Sequence, residues 1–182
     1  MVPEAEFEDT GTGRIRTTPG WFVLNARDAR WQPAKGRGAY CLFDAGKLEF
    51  EQTGVHLVTL APGDAMGMYH WEVNQEDFLV VAGEALLIVE GEERPLKQWD
   101  FVHCPPGTEH IILGAGDGPC LVVAIGARDP ATEENWGRYT VDEAALRHGA
   151  SVEEETTSGD VAYAKVEPRR PATFEEGGWL PE

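Results

Sequence analysis

The sequence predicts an all-β protein, an antiparallel barrel or sandwich carrying one short C-terminal helix. Three observations lead there. Apolar runs of strand length recur about every ten residues from Val55 to Arg128, with no helical period between them. Turn signals close these runs: Pro62-Gly63, Gly83-Glu84, Glu90-Gly91, Pro105-Pro106-Gly107 and GAGDG at 114–118. With 21 glycines and 12 prolines, the chain holds too many breakers for long helices.

In chain order, residues 1–20 are polar, charged and glycine-rich, and read as a mobile N-terminal arm. WFVLNA at 21–26 reads as a first strand and Tyr40 to Phe43 as a second. VHLVTLAPG from Val55 is a strand ending in a Pro-Gly turn. FLVVA and ALLIV, broken by Gly83-Glu84 and closed by Glu90-Gly91, carry hairpin punctuation. Asp100 to Cys104 is a short strand stopped by Pro105-Pro106-Gly107. HIILGAGDGPCLVVAIGAR supplies two more strands around a Gly-Asp-Gly hairpin turn. The helix is YTVDEAALRHGA, 139–150, with Thr140 as its cap, Glu143 as capping-box partner and Gly149 as its C-terminal stop. Residues 151–182 are acidic, then rich in Pro and Gly, and read as irregular. The division is an arm at 1–20, a β-domain at 21–130, and a C-terminal helix with an acidic tail at 131–182.

Length and charge narrow the functional classes. At 182 residues the chain fits one domain able to bury a core without disulfides or a structural metal. A formal net charge of −17 repels phosphate backbones, which argues against nucleic-acid binding. The three cysteines, Cys41, Cys104 and Cys120, form no C-x-x-C pair, so a reducing cytoplasm is the expected location. The acidic N-terminus lacks the apolar region of a secretory signal, and no apolar run approaches the ~18 residues needed to span a bilayer.

The chemistry concentrates in MYHWEVNQEDF, 68–78, where His70, Glu72 and Glu76 precede an apolar run. On one continuous strand the three share a face. If the chain bends at Val73-Asn74-Gln75, two neighbouring strands still bring them together. Forty residues on, the turn in PPGTEH delivers His110 onto another apolar strand. Asp77 has the opposite parity to Glu76 and should face outward. His56 and His103 read as structural or surface groups. Other chemistries lack their parts: the two serines, Ser151 and Ser158, lie in the acidic tail, adjacent His103 and Cys104 point to opposite faces, and GAGDG lacks the Lys-Ser/Thr of a P-loop.

These residues resemble the cupin superfamily. Its first motif, G-x5-H-x-H-x3,4-E-x6-G, is met by Gly63, His70, Glu76 and Gly83, with one extra residue after Gly63. Its second, G-x5-P-x-G-x2-H-x3-N, is met by Pro105, Gly107 and His110. Three departures stand out: Glu72 replaces the second histidine, Gly114 stands where the asparagine would be, and the opening glycine is missing around Gln98, Trp99 and Asp100. The motifs span 63–114, and flanking strands extend the likeness from about 40 to 127.

The resemblance implies a double-stranded β-helix, or jelly roll. It also implies a divalent metal ion, whether iron, manganese, zinc or nickel, held by His70, Glu76 and His110. Glu72 is then a fourth ligand, a catalytic general base beside the metal, or the mark of a lost site. Two ionised carboxylates in an enclosed mouth should raise the pKa of one of the pair, a penalty that a cation removes. The implied function is a metal-dependent small-molecule enzyme, dioxygenase-, isomerase- or decarboxylase-like; the alternative is a non-catalytic ligand-binding or regulatory cupin. Strands apolar on both faces point to a homodimer, with a small molecule as the other partner.

Overall fold

A computed structural model describes residues 1–182, the side chain of Glu133 excepted. Among the described residues there are thirteen strands. β1 (Phe7–Asp9) and β2 (Arg14–Arg16) form a hairpin of their own. The others are β3 (Arg30–Pro33), β4 (Ala39–Leu42), β5 (Thr53–Leu60), β6 (His70–Glu72), β7 (Glu76–Ala82), β8 (Glu84–Val89), β9 (Glu92–Lys97), β10 (Phe101–Cys104), β11 (His110–Ala115), β12 (Cys120–Ala127) and β13 (Gly137–Tyr139). They build a six-stranded sheet in the order β10-β7-β12-β5-β4-β3 and a five-stranded sheet in the order β13-β6-β11-β8-β9. Every named pairing is antiparallel.

From β5 onward the chain passes back and forth between the two sheets, which is the path of a double-stranded β-helix. Period-two patterning puts one face of β4 and β7 inside, whereas β11 is buried on both faces. Val58 and Leu60 of β5, Phe78 and Val80 of β7 and Cys120 and Val122 of β12 meet Leu87 and Ile88 of β8 and Ile111 to Leu113 of β11 in one core. The three cysteines are free and buried.

Two turns differ from their sequence reading. Gly83-Glu84 does not close a hairpin: β7 and β8 lie in different sheets, and Gly83, at φ +75, is the corner between them. A Cβ there would meet the Cα of Cys120 at 2.8 Å, so the corner requires glycine. Residues 114–118 likewise carry the chain from β11 to β12 in the opposite sheet. Turn residues permit reversal but do not choose the partner strand. Only Glu90-Gly91, with φ of 50 and 79, makes the expected tight hairpin, joining β8 to β9.

The ends also differ. The expected arm at 1–20 holds the β1–β2 hairpin, docked by Phe7 edge-on to Phe22 at 5.2 Å and by the Arg16 guanidinium over the Phe22 ring. Cation–π and edge contacts leave no apolar period in the sequence, so this hairpin was not legible there. WFVLNA is not a strand: Trp21 makes one bridge to Glu4, while Val23 is 85% exposed. The helix is shorter than expected. α1 is Glu143–Arg147, capped by Asp142, which accepts from the Ala145 N–H at 2.7 Å; Thr140 is not the cap, and Tyr139 belongs to β13. Gly149, at φ +65, follows the helix as expected. Two further helical turns, α2 (Gly159–Ala162) and α3 (Phe174–Gly177), occupy the segment read as irregular, and a 3-10 helix forms at Pro130–Asn135. The tail packs back along the β3 edge of the six-stranded sheet, where Ala172 bridges Trp31 and Phe174 sits edge-on to the buried Trp31 ring at 5.7 Å.

Candidate metal centre

Antiparallel register makes His70 of β6 and His110 of β11 direct cross-strand partners. Glu76 opens β7 on the facing sheet. The chain reaches it through a bend at Val73 to Gln75, held by the Val73 N–H donating to Trp136 O at 2.8 Å. The one-strand arrangement of His70, Glu72 and Glu76 is therefore not adopted; the bend is. It brings one donor atom each from His70, Glu76 and His110 within 4.8 Å of one another, the only such cluster among the described residues. The Glu76 Oε2 lies 3.6 Å from His70 Nε2 and 3.3 Å from His110 Nε2.

Both rings are aimed by their own backbone. His70 Nδ1 lies 2.8 Å from Met68 O and His110 Nδ1 lies 3.0 Å from Thr108 O. A carbonyl only accepts, so each Nδ1 carries the proton and donates it, and each Nε2 is turned toward Glu76. This outer hydrogen bond is the one that commonly fixes a metal-ligating histidine. His110 Nε2 and Glu76 Oε2 are both buried and neither makes a hydrogen bond. One orphaned imidazole nitrogen and one orphaned carboxylate oxygen, with the His70 nitrogen beside them, fit a divalent cation.

Electrostatics ties the three together. Burial works against the charge on His70, but Glu72 and Glu76 outweigh it and lift its pKa to about 9. Burial likewise opposes charge on His110, but Cys104 and Glu76 raise it to about 10. Burial would raise Glu76, yet the two rings overcome it and hold the carboxyl well below its usual range. The expected rise from carboxylate crowding is thus reversed at Glu76, because each neighbouring ring supplies the opposite charge.

Glu72 points its Oε1 to within 3.6 Å of His70 Nε2 but lies outside the three-donor cluster. Together with the triad it lines a cavity of about 310 Å³. Asp77 is on the opposite face, paired with His103 at 2.7 Å on the surface of the six-stranded sheet. Sequence reasoning missed several lining residues: His56, Tyr40, Trp136, Tyr139 and Tyr163. For His56 a signal existed, since it alternates with the core residues Val58 and Leu60. Tyr139 is the cross-strand partner of His70 from β13, and Tyr163 follows α2, so the C-terminal segment helps to complete the cavity.

The Cupin domain family model matches residues 56–126, which contain both histidines and Glu76. An uncharacterized conserved protein with a double-stranded β-helix domain from Klebsiella pneumoniae superposes with a TM-score of 0.50 at 22% identity, covering 60% of this chain and 91% of that one. The chain thus carries a cupin-like double-stranded β-helix.

A sugar phosphate isomerase from a cupin superfamily, from Silicibacter pomeroyi, gives a TM-score of 0.47 at 20% identity over 85% of this chain and 83% of its own. In sequence, the chain is 26% identical over 102 residues to the mannose-1-phosphate guanylyltransferase ManC of Salmonella typhimurium. That match takes in 56% of this chain and spans only 20% of the relative's length. The departure at Gly114 from the cupin motif has a local cause: a Cβ there would collide with the carbonyl oxygen of Ala61, which excludes the motif's asparagine. Among the described residues no helix is long and apolar enough to cross a membrane.

Proposed function

We propose that this cupin-like protein is a metal-dependent enzyme acting on a small molecule, with His70, Glu76 and His110 holding a divalent ion. The observation that carries the reading is the pair of buried, unpartnered ligand atoms, His110 Nε2 and Glu76 Oε2, inside a three-donor cluster. Two histidines and one carboxylate are the set used by non-haem iron, and manganese, zinc and nickel accept the same donors. When bound, such an ion supplies Lewis acidity or an oxygen-binding centre.

The chain's own residues do the rest. Glu72, at the cavity wall beside His70, is placed to take a proton from a bound substrate and return it. Phe78, Trp136 and Tyr139 form aromatic walls that exclude water and orient a small ligand. A cavity of about 310 Å³ suits a metabolite-sized molecule rather than a polymer.

Elemental analysis of full-length protein purified without chelator, followed by calorimetric titration of chelator-treated protein with iron, manganese, zinc and nickel, tests the reading. Close to one equivalent per chain is expected. Protein that is metal-free as purified and takes up none of the four ions contradicts it.

A further inference from the structure

We infer that a second cavity, behind the metal centre and lined by Arg37, Arg169 and Tyr163, binds an oxyanion, the phosphate group of a small molecule. The cavity measures about 460 Å³, within the size range of ligand pockets, and shares Tyr40, Met66 and Tyr163 with the metal cavity as a common wall.

Arg37 is only 9% exposed. Its Nη2 donates to Gly149 O at 2.9 Å and reaches Met68 Sδ at 3.5 Å, and its Nη1 and Nε have no acceptor among the described residues. Arg169 lies over the Tyr40 ring at 4.1 Å and donates to Gln32 O, Gly38 O and Arg37 O. Backbone carbonyls thus hold both guanidinium groups at the wall of this cavity, but carbonyl dipoles do not neutralise two cations. Neither arginine has a carboxylate within 4.0 Å among the described residues. Asp64 acts on both from farther off while accepting the Ala61 N–H, and Asp160 and Glu167 sit exposed at the rim. Holding two half-desolvated cations together without a close anion is costly. Arginine forks match the oxygens of a phosphate, and charge-assisted bonds are the strong ones. Tyr163 Oη, which accepts the Met68 N–H at 3.1 Å, keeps its own proton to donate.

This inference does not depend on the metal reading, so chelator-treated, full-length protein is the right material. Inorganic phosphate is titrated by calorimetry at low ionic strength, against chloride as control. Saturable binding at one site per chain is expected, weakened by about tenfold or more in Arg37→Gln. Should Arg37→Gln fail to fold by circular dichroism, because Gly149 O loses its donor, Arg169→Lys keeps the charge but removes the fork and should weaken phosphate several-fold. The proposal is overturned if the parent shows no saturable binding, or if the folded arginine variants bind phosphate as tightly as the parent does.

Discussion

His110 Nε2 and Glu76 Oε2 face each other across 3.3 Å of buried space, and neither makes a hydrogen bond. His110→Ala should therefore abolish metal uptake, since it removes the most buried ligand and leaves Glu76 with one ring. Glu72→Gln, outside the three-donor cluster, should weaken the metal by only about tenfold, as expected for a group acting through a neighbour or a weak bond. Glu72→His restores a nitrogen donor and should shift preference toward nickel or zinc. Competition titrations read all three. If Glu72→Gln binds as the parent does while His110→Ala does not, Glu72 serves the substrate alone.

The raised histidines make metal binding a proton-releasing event. His70 at about 9 and His110 at about 10 are protonated at neutral pH in the metal-free protein, and an ion must displace those protons. Affinity should climb with pH from 6 to 9 by up to two log units per pH unit, roughly two protons being released. Calorimetry in buffers of different ionisation enthalpy counts them. An affinity flat over this range would contradict the arrangement.

Metal-free stability should follow the opposite sign at high pH. The histidines' folded pKa values lie above the unfolded value near 6.5, so their contribution is full below ~6.5 and is lost as pH rises through 9 and 10. Glu76 is depressed, so its contribution is present above ~4.3 and lost at strongly acid pH. Thermal melts of chelator-treated protein should peak between about pH 4.5 and 6.5 where this cluster dominates, and His110→Ala should flatten the alkaline fall.

Leu79 of β7 faces Phe101 of the edge strand β10, and Phe101 and neighbouring Trp99 are 61% and 66% exposed. Apolar side chains on an open sheet edge favour pairing with a second copy. A homodimer is expected by light scattering, and Phe101→Glu should yield a folded monomer. A monomeric parent at micromolar concentration would refute this.

Much of the site was legible because its signals are local. His70, Glu76 and His110 stand at fixed distances from glycines and prolines that form real turns, and strand parity separated Glu76 from Asp77. What was not legible depends on distant partners. Nothing near Gly83 says that β7 and β8 part to different sheets; that follows from where Pro119 and Cys120 pass behind the glycine. Tyr139 and Tyr163 reach the cavity only because β13 pairs with β6 and α2 folds back, neither of which leaves a period in the sequence. The corner itself is testable: Gly83→Ala should cost roughly 1–3 kcal/mol or more, from a left-handed φ with no room for a Cβ. A variant as stable as the parent in denaturant would mean that the corner relaxes freely.

The central claim is that His70, Glu76 and His110 ligate one ion. An anomalous-difference map from crystals of metal-loaded protein, collected above and below the absorption edge of the added ion, tests it most directly. The account predicts one peak per chain, about 2.0–2.3 Å from His70 Nε2, His110 Nε2 and a Glu76 carboxylate oxygen. A peak elsewhere, or none in fully loaded crystals, would contradict it.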